Sequence, residues 1–445
     1  MRRHLAGRRL TEKEIPFSKD ILEAHEQAGY LKQSPGIIVN GSYTQCQRCG
    51  NQTSSLFGYY QSPLFSSDIC YCRHCLALGK ISSTTSLYSW NASPPSYTIP
   101  AAPLTWQGTL SKGQQHASDR VIQAIQNRTS LLVWAVCGSG KTEVLFKGVE
   151  TALLEGKRVL IATPRTDVVK ELAPRFEHVF PEVTISALYG GQTKVNPTAP
   201  LIIATTHQVL RFYQAFDVVI VDEVDAFPYT YDESLQYGVK QAQKENASMI
   251  LLSATPSKAL RETPHLQVTR IARRYHGFDL PVPRLEWCGP WHKKVLKERL
   301  PSTIFNWIAD HHQHNAPALV FVPSIRVLHQ ISSILQKKNI SHAAVHSAST
   351  DRHQHVEAFR QSKIPIVLTT TILERGITIP KVDIAVIGAE ADLFTESALV
   401  QMAGRVGRHK DFPTGDVVFF HYGKTRAMRN AVDHIKKMNA EEMDH

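Results

Sequence analysis

Ala135-Val136-Cys137-Gly138-Ser139-Gly140-Lys141-Thr142 follows the apolar run Leu131 to Val136 and opens a segment of helical character. About eighty residues later, Asp222-Glu223-Val224-Asp225 closes a second apolar run. The first stretch has the make-up of a phosphate-binding loop. Backbone N–H groups around Gly138, Ser139 and Gly140 can wrap a triphosphate, Lys141 can reach its β- and γ-phosphates, and the Thr142 hydroxyl is available to Mg²⁺. The second stretch supplies the carboxylates that metal-assisted phosphoryl transfer requires. A glycine-rich loop alone recurs by chance, whereas strand, loop and helix followed at this distance by strand and paired acids does not. The pair reads as the fuel site of an NTP-driven motor.

At 445 residues the chain exceeds the size at which one hydrophobic core stops growing, so two large domains and a small one are expected. No stretch of eighteen residues is apolar throughout, which argues against a membrane span. Met1-Arg2-Arg3-His4-Leu5 is basic but runs into polar and charged residues without the apolar core of a secretion signal, and the expected location is cytoplasmic. Fifty Lys and Arg against 39 Asp and Glu give a formal charge of +11, an excess that attracts a polyanion, nucleic acid before others, unless the surface is merely solvated.

Seven cysteines without an export signal point away from disulfides, and five of them fall between Cys46 and Cys75. Cys46-Gln47-Arg48-Cys49 and Cys72-Arg73-His74-Cys75 form two C-x-x-C knuckles separated by 22 residues, a gap that a hairpin containing the stretch Leu56 to Tyr60 can span. Four thiolates then converge on Zn²⁺ as a closed tetrahedron, structural rather than catalytic. Substitution of Cys70 or His74 for one thiolate stays open, as does a set of reduced buried cysteines or a redox pair. Cys137 and Cys288 read as packing residues. Tyr59, Tyr60 and Tyr71, interleaved with Arg48 and Arg73, either offer a stacking surface for single-stranded bases or pad a small core. His311-His312-Gln313-His314 reads as a solvent-facing helix end without converging ligands.

Ser82 to Pro103 is rich in Ser, Thr and Pro and reads as a linker. Beyond it, the strand-length runs Leu131 to Val136, Val159 to Ala162, Leu201 to Thr205, Val218 to Val221 and Met249 to Leu252 alternate with helical segments, as in a parallel sheet with its chemistry at the strand carboxyl ends. After Pro281-Val282-Pro283 the rhythm repeats at Leu319 to Val322, Ala343 to Val345, Ile366 to Leu368, Ile384 to Ile387 and Val417 to Phe420, without another phosphate loop. The expected organisation is a basic segment over 1–40, a zinc-binding module over 41–81, a linker over 82–108, a nucleotide-binding lobe over 109–280, a linker over 281–295 and a second lobe over 296–445.

In motif order, residues 110 to 425 resemble the superfamily 2 helicases, whose motor is two RecA-like lobes. Leu110-Ser111 with Gln114 and Ala117 is similar to the glutamine motif that recognises adenine. Ala162-Thr163-Pro164-Arg165 and Thr205-Thr206-His207-Gln208 resemble strand-contacting motifs, Ser253-Ala254-Thr255 the coupling motif, and Thr369 to Gly376 the nucleic-acid motif of the second lobe. Gln401-Met402-Ala403-Gly404-Arg405-Val406-Gly407-Arg408 is similar to the arginine motif that completes the ATPase site. The fold class is therefore expected to be α/β: two RecA-like lobes with parallel sheets, preceded by a small four-cysteine zinc-ribbon module. Ala135 replaces the first glycine of the general phosphate-loop pattern, but Gly138 and Gly140 still let backbone approach phosphate. Val224 at the third acidic-motif position marks a branch rather than a change of chemistry.

The resemblance implies a role for each matched residue. Lys141 neutralises β/γ-phosphate charge of ATP, with Gln114, Gly138, Ser139 and Gly140 completing the nucleotide cradle. Thr142 and Asp222 hold Mg²⁺, and Glu223 orients or deprotonates the attacking water. Gln401 senses the γ-phosphate, which Arg405 and Arg408 meet when the lobes close. Pro164, Arg165, Thr205, Thr206, His207, Thr369 and Thr370 contact single-stranded DNA.

Within the superfamily the chain is most similar to the late competence ComFA family and more distantly to the primosomal PriA helicases. A four-cysteine module ahead of the motor, the block Asp222-Glu223-Val224-Asp225-Ala226-Phe227-Pro228, and a compact end after Arg408 carry this likeness. It implies an ATPase that pulls transforming single-stranded DNA into the cytoplasm, peripherally attached at the inner face of the cell membrane beside the ComEC channel and with ComFC. Two alternatives stand beside it: a PriA-like 3'-5' DNA helicase in replication restart or repair, and a nucleotide-switched nucleic-acid-binding scaffold. The presence of Glu223, Arg405 and Arg408 disfavours the scaffold.

Overall fold

The computed structural model describes residues 1–41, 43–63, 68–192, 196–347, 349, 351–371 and 379–441. The chain packs as two compact units. One comprises Met1–Leu110, Gln115–Val133 and Thr142–Thr269; the other comprises Ser111–Gln114, Trp134–Lys141 and Arg270–His445.

The first unit opens with short strands: β1 (Arg9–Thr11), β2 (Leu31–Pro35), β3 (Ile37–Asn40), β4 (Tyr43–Cys46), β5 (Phe57–Tyr60), β6 (Ile69–Cys72), β7 (Ile81–Ser82) and β8 (Ser86–Trp90). Among the described residues, β8 is the central strand of an antiparallel sheet in the order β1-β8-β2, β3 pairs with β4, and β5-β6-β7 form the ribbon. Leu5, Leu10, Ile15, Leu22, Leu31 and Tyr88 close a small core under β8. The basic segment expected over 1–40 and the start of the linker expected from residue 82 thus share one folded sheet. In β8 only Leu87 and Tyr88 are buried, so the strand shows no alternation that sequence could reveal.

The following strands are β9 (Ser130–Ala135), β10 (Val159–Thr163), β11 (Ile185–Leu188), β12 (Leu201–Thr205), β13 (Phe216–Val221), β14 (Gln243–Ser253) and β15 (Leu266–Ile271). They lie in the order β11-β12-β10-β13-β14-β9-β15, and the neighbours from β11 to β14 are parallel. Every residue of β10 and β12 is buried, as continuous apolar runs covered on both faces must be.

In the second unit, β16 (Arg284–Trp287), β17 (Ala318–Phe321), β18 (Ala343–Val345), β19 (Ile366–Thr369), β20 (Asp383–Ile387) and β21 (Val417–His421) form a parallel sheet in the order β16-β21-β20-β17-β19-β18. The span 281–295, expected as a linker, contains β16 and the helix Trp291–Val295, and it docks on β21 instead of bridging. His311, expected at a solvated helix end, is 6% exposed and meets Asp383 Oδ2 through Nε2 at 3.1 Å. Of the run His311 to His314 only His311 points inward, whereas Gln313 and His314 are exposed.

Candidate nucleotide site and metal centre

The phosphate loop joins the carboxyl end of β9 to the helix Lys141–Leu154. Gly138 and Gly140 have φ of 80° and 73°, conformations that open a row of N–H groups toward an anion and that side chains resist. Lys141 Nζ donates to the Ala135 carbonyl at 3.3 Å. Gln114, buried, donates from Nε2 to the Ser139 carbonyl at 2.8 Å and accepts from the Ser111 N–H at 2.8 Å. The glutamine expected to read adenine therefore fixes the loop.

The same unit packs the arginine motif against this loop. Cys137 donates from Sγ to Gln401 Oε1 at 3.0 Å. Gly404 lies so close that a Cβ would fall 2.4 Å from Cys137 Cβ. Arg408 donates from Nε to the Gly404 carbonyl at 3.1 Å, and a Cβ on Gly138 would meet the Arg408 Cγ at 3.8 Å. Arg405 is 2% exposed.

Sequence reasoning missed Arg274, which is also 2% exposed. It donates from Nη1 to the Gly407 carbonyl at 2.6 Å and from Nη2 to that of Gly404 at 3.4 Å. Its neighbours extend the tie: the Tyr275 N–H donates to the Gly138 carbonyl, and His276 Nε2 meets the Gly407 carbonyl. Burial pulls the Arg274 pKa down to about 10, which leaves it charged at neutral pH. No spacing rule singles out an arginine in Ile271-Ala272-Arg273-Arg274-Tyr275.

The remaining groups of the expected ATPase centre lie in the first unit. Asp222 ends the apolar run of β13 and accepts from the Glu223 N–H at 2.9 Å. Glu223 has φ of 55°, a left-handed conformation uncommon for a residue with a side chain and a mark of functional turns. Thr142 accepts from Arg175 Nη1 at 3.2 Å. Asp225 takes the Ser253 hydroxyl on Oδ1 and the Thr255 hydroxyl on Oδ2, each at 2.7 Å, so the coupling motif is clasped to the acidic motif.

Of the residues expected on a nucleic-acid strand, Pro164 is buried and the Arg165 side chain is held by Asp167 at 2.8 Å. Thr205 and Thr206 are buried at the end of β12, while His207 is exposed. In the second unit Thr369 is buried and donates to the Thr370 carbonyl at 3.1 Å. Residues 372–376 of that motif, Gly376 included, lie outside the described residues.

Cys46, Cys49, Cys72 and Cys75 converge with all four sulfurs within 4.8 Å of one another. Cys46 and Cys75 sulfurs are 3.7 Å apart and those of Cys49 and Cys72 3.6 Å. A thiolate tetrahedron around a metal at about 2.3 Å has edges of about 3.8 Å, so the cluster fits one ion. Asn51 Nδ2 adds a donor to Cys72 Sγ at 3.8 Å. Cys70 stays outside the cluster, and His74 turns away to Asp232, with Nε2 and Oδ2 3.3 Å apart. Arg48 is not a surface group: it is buried and ion-paired with Glu14, which also holds Arg211. Directly after the same knuckle, Gly50 leaves room for the Tyr237 ring, which a Cβ would approach to 2.5 Å.

Residues 1–89 match the competence protein ComFA N-terminal domain, 107–258 the type III restriction enzyme res subunit, and 296–410 the helicase conserved C-terminal domain. The competence protein ComFA of Bacillus subtilis is 45% identical over 438 residues, covering 98% of this chain and 94% of that one. The chain belongs to the ComFA family. Competence protein ComFA of Streptococcus pneumoniae is 36% identical over 441 residues, 98% of each chain. In fold, the chain is similar to Dbp5 of S. cerevisiae bound to RNA and ADP BeF3, with a TM-score of 0.53 and 18% identity over 75% of this chain and 88% of the other. As a ComFA-family protein with both helicase modules, it is a competence-related DNA-dependent ATPase of superfamily 2 that uses ATP and Mg²⁺. Among the described residues no helix is long and apolar enough to cross a membrane.

Proposed function

We propose that the chain is an ATP-driven single-stranded DNA translocase that draws transforming DNA into the cytoplasm. It would work peripherally at the inner face of the membrane, beside a ComEC channel and with ComFC. The observation that carries this reading is the packing of Gln401, Gly404 and Arg408 onto the phosphate loop, through Cys137 and Gly138. A motor needs its hydrolysis and its grip to depend on one another, and this contact ties the arginine motif to the nucleotide cradle.

In that scheme Lys141 binds the β/γ-phosphates, Thr142 and Asp222 hold Mg²⁺, and Glu223 takes the proton of the attacking water. Gln401, Arg405 and Arg408 stabilise the charge that builds on the γ-phosphate; arginines so placed contribute on the order of 10³ to 10⁵ in rate. Asp225, clasped by Ser253 and Thr255, passes the change at the acidic motif to the strand-contacting residues. Those residues meet phosphate rather than base edges, so movement is indifferent to sequence. The Cys46, Cys49, Cys72 and Cys75 cluster holds Zn²⁺ in a closed shell, a structural rather than a catalytic site.

The test is ATP hydrolysis with single-stranded DNA, duplex DNA and RNA at matched charge. Stimulation by single-stranded DNA that falls with added salt is expected, because phosphate contacts release counterions. Stimulation that ignores salt contradicts the scheme. Unwinding of forked duplex would instead support a restart helicase, and absence of turnover a scaffold.

A further inference from the structure

The metal module carries an exposed face that the ATPase cycle does not use. In the β5-β6-β7 ribbon, strand alternation turns Phe57, Cys72 and Ile81 to the inner side, where all three are buried. On the other side Tyr60 and Tyr71 meet edge-on, with ring centroids 6.0 Å apart. Gly58 pairs with Tyr71 in the register, and a Cβ there would fall 2.4 Å from its ring. The bare glycine thus lets that ring lie against the strand. Lys80 Nζ stands 3.8 Å from the Tyr60 ring centroid and 5.2 Å from that of Tyr71. By the same alternation Arg73 extends this face beyond β6, its N–H bonded to the Leu56 carbonyl.

Charge selects what such a face takes. Tyr60 is 37% exposed, Arg73 and Lys80 are exposed, and neither cation has an acidic partner among the described residues. Asp68 is the sole acid between Cys46 and Lys80 in the sequence. Rings on a sheet surface beside cations with no carboxylate partner among the described residues suit single-stranded nucleic acid, whose bases stack while its phosphates pair. Duplex hides the base faces on which that chemistry depends. The knuckle also anchors the face: His74, next to Arg73, pairs with Asp232, and Asp232 is within electrostatic reach of His207 in the strand-contacting segment.

We infer that the Tyr60 and Tyr71 face, flanked by Arg73 and Lys80, is a second contact for single-stranded nucleic acid, which keeps hold of the strand while the motor releases and re-grips. This rests on the translocase reading above. The test is binding of the full chain to labelled oligothymidylates of about 8 and about 30 nucleotides, the shorter spanning one contact and the longer both. Tyr60→Ala combined with Arg73→Ala should weaken the longer oligomer about tenfold and the shorter by about twofold at most, and Tyr60→Phe should bind both as the unaltered chain does. Metal content equal to that of the unaltered chain shows that the ribbon is intact. Unchanged affinity of the double variant for the longer oligomer overturns the inference, and so does an equal loss on duplex of the same charge. The two readings fail separately. If ATP turnover of the unaltered chain does not rise with the longer oligomer, the translocase reading falls; if it rises and the double variant still binds normally, only the second contact falls.

Discussion

The Cys137 thiol, third residue of the phosphate loop, donates to Oε1 of Gln401 across 3.0 Å, and both side chains are buried. A cysteine that looks like packing in the sequence thus orients the glutamine expected to sense the γ-phosphate. Cys137→Ala leaves the Gln401 oxygen buried without this donor, a loss of about 1 to 3 kcal/mol. Steady-state ATP turnover should fall about tenfold, whereas Cys137→Ser, which retains a donor, should recover most of it.

Arg274 satisfies the carbonyls of Gly404 and Gly407 from a fully buried position. Arg274→Ala removes both bonds and leaves a void, so urea denaturation should show a loss of about 3 kcal/mol or more. Arg274→Lys carries a point charge in place of the fork and should restore only part of it.

Glu223→Gln keeps size and removes the proposed base. Turnover should drop roughly 10²- to 10⁴-fold while labelled ATP still binds. Lys141→Ala should lose binding as well, measured by the same nucleotide titration. Full turnover in either variant would remove the assigned chemistry.

Cys72→Ser breaks the four-thiolate shell. A colorimetric chelator should release about one metal ion per chain from the unaltered protein and much less from the variant, with a lowered unfolding temperature. His74→Ala should retain the metal, because His74 faces Asp232 instead of the sulfurs.

His311 gives the second unit a pH dependence. Burial opposes its charge, but Asp383 and the Trp307 carbonyl outweigh burial and hold its pKa above the ordinary value. A raised folded pKa means that the stabilisation is fully present below about pH 6.5 and is lost as pH rises through the folded value. Urea midpoints compared at about pH 5.5 and about pH 8.5 should therefore fall with pH, and His311→Gln should flatten the difference.

What the sequence made legible follows from how strongly each element is constrained. β10 and β12 sit where uninterrupted apolar runs place them, because a strand covered on both faces leaves little room for polar residues. The phosphate loop, the acidic motif and the two cysteine knuckles carry their chemistry in residue type and spacing. β8, β11, β15 and β16 were not legible, since each is short or half exposed and held by partners distant in sequence. The same holds for Arg274 and for the burial of Arg48 and His311: a charged side chain reads as solvated until its partners, here Gly407, Glu14 and Asp383, are brought to it by the fold.

The place of β8 between β1 and β2 bears on how the amino-terminal module can be isolated. A fragment cut at residue 82 would keep every cysteine of the cluster yet leave β1 and β2 with their facing edges bare, and bare edges recruit one another between molecules. A piece that keeps this sheet whole has to run through Trp90. The metal alone does not define it, because the last strand to be translated closes a sheet begun at Arg9.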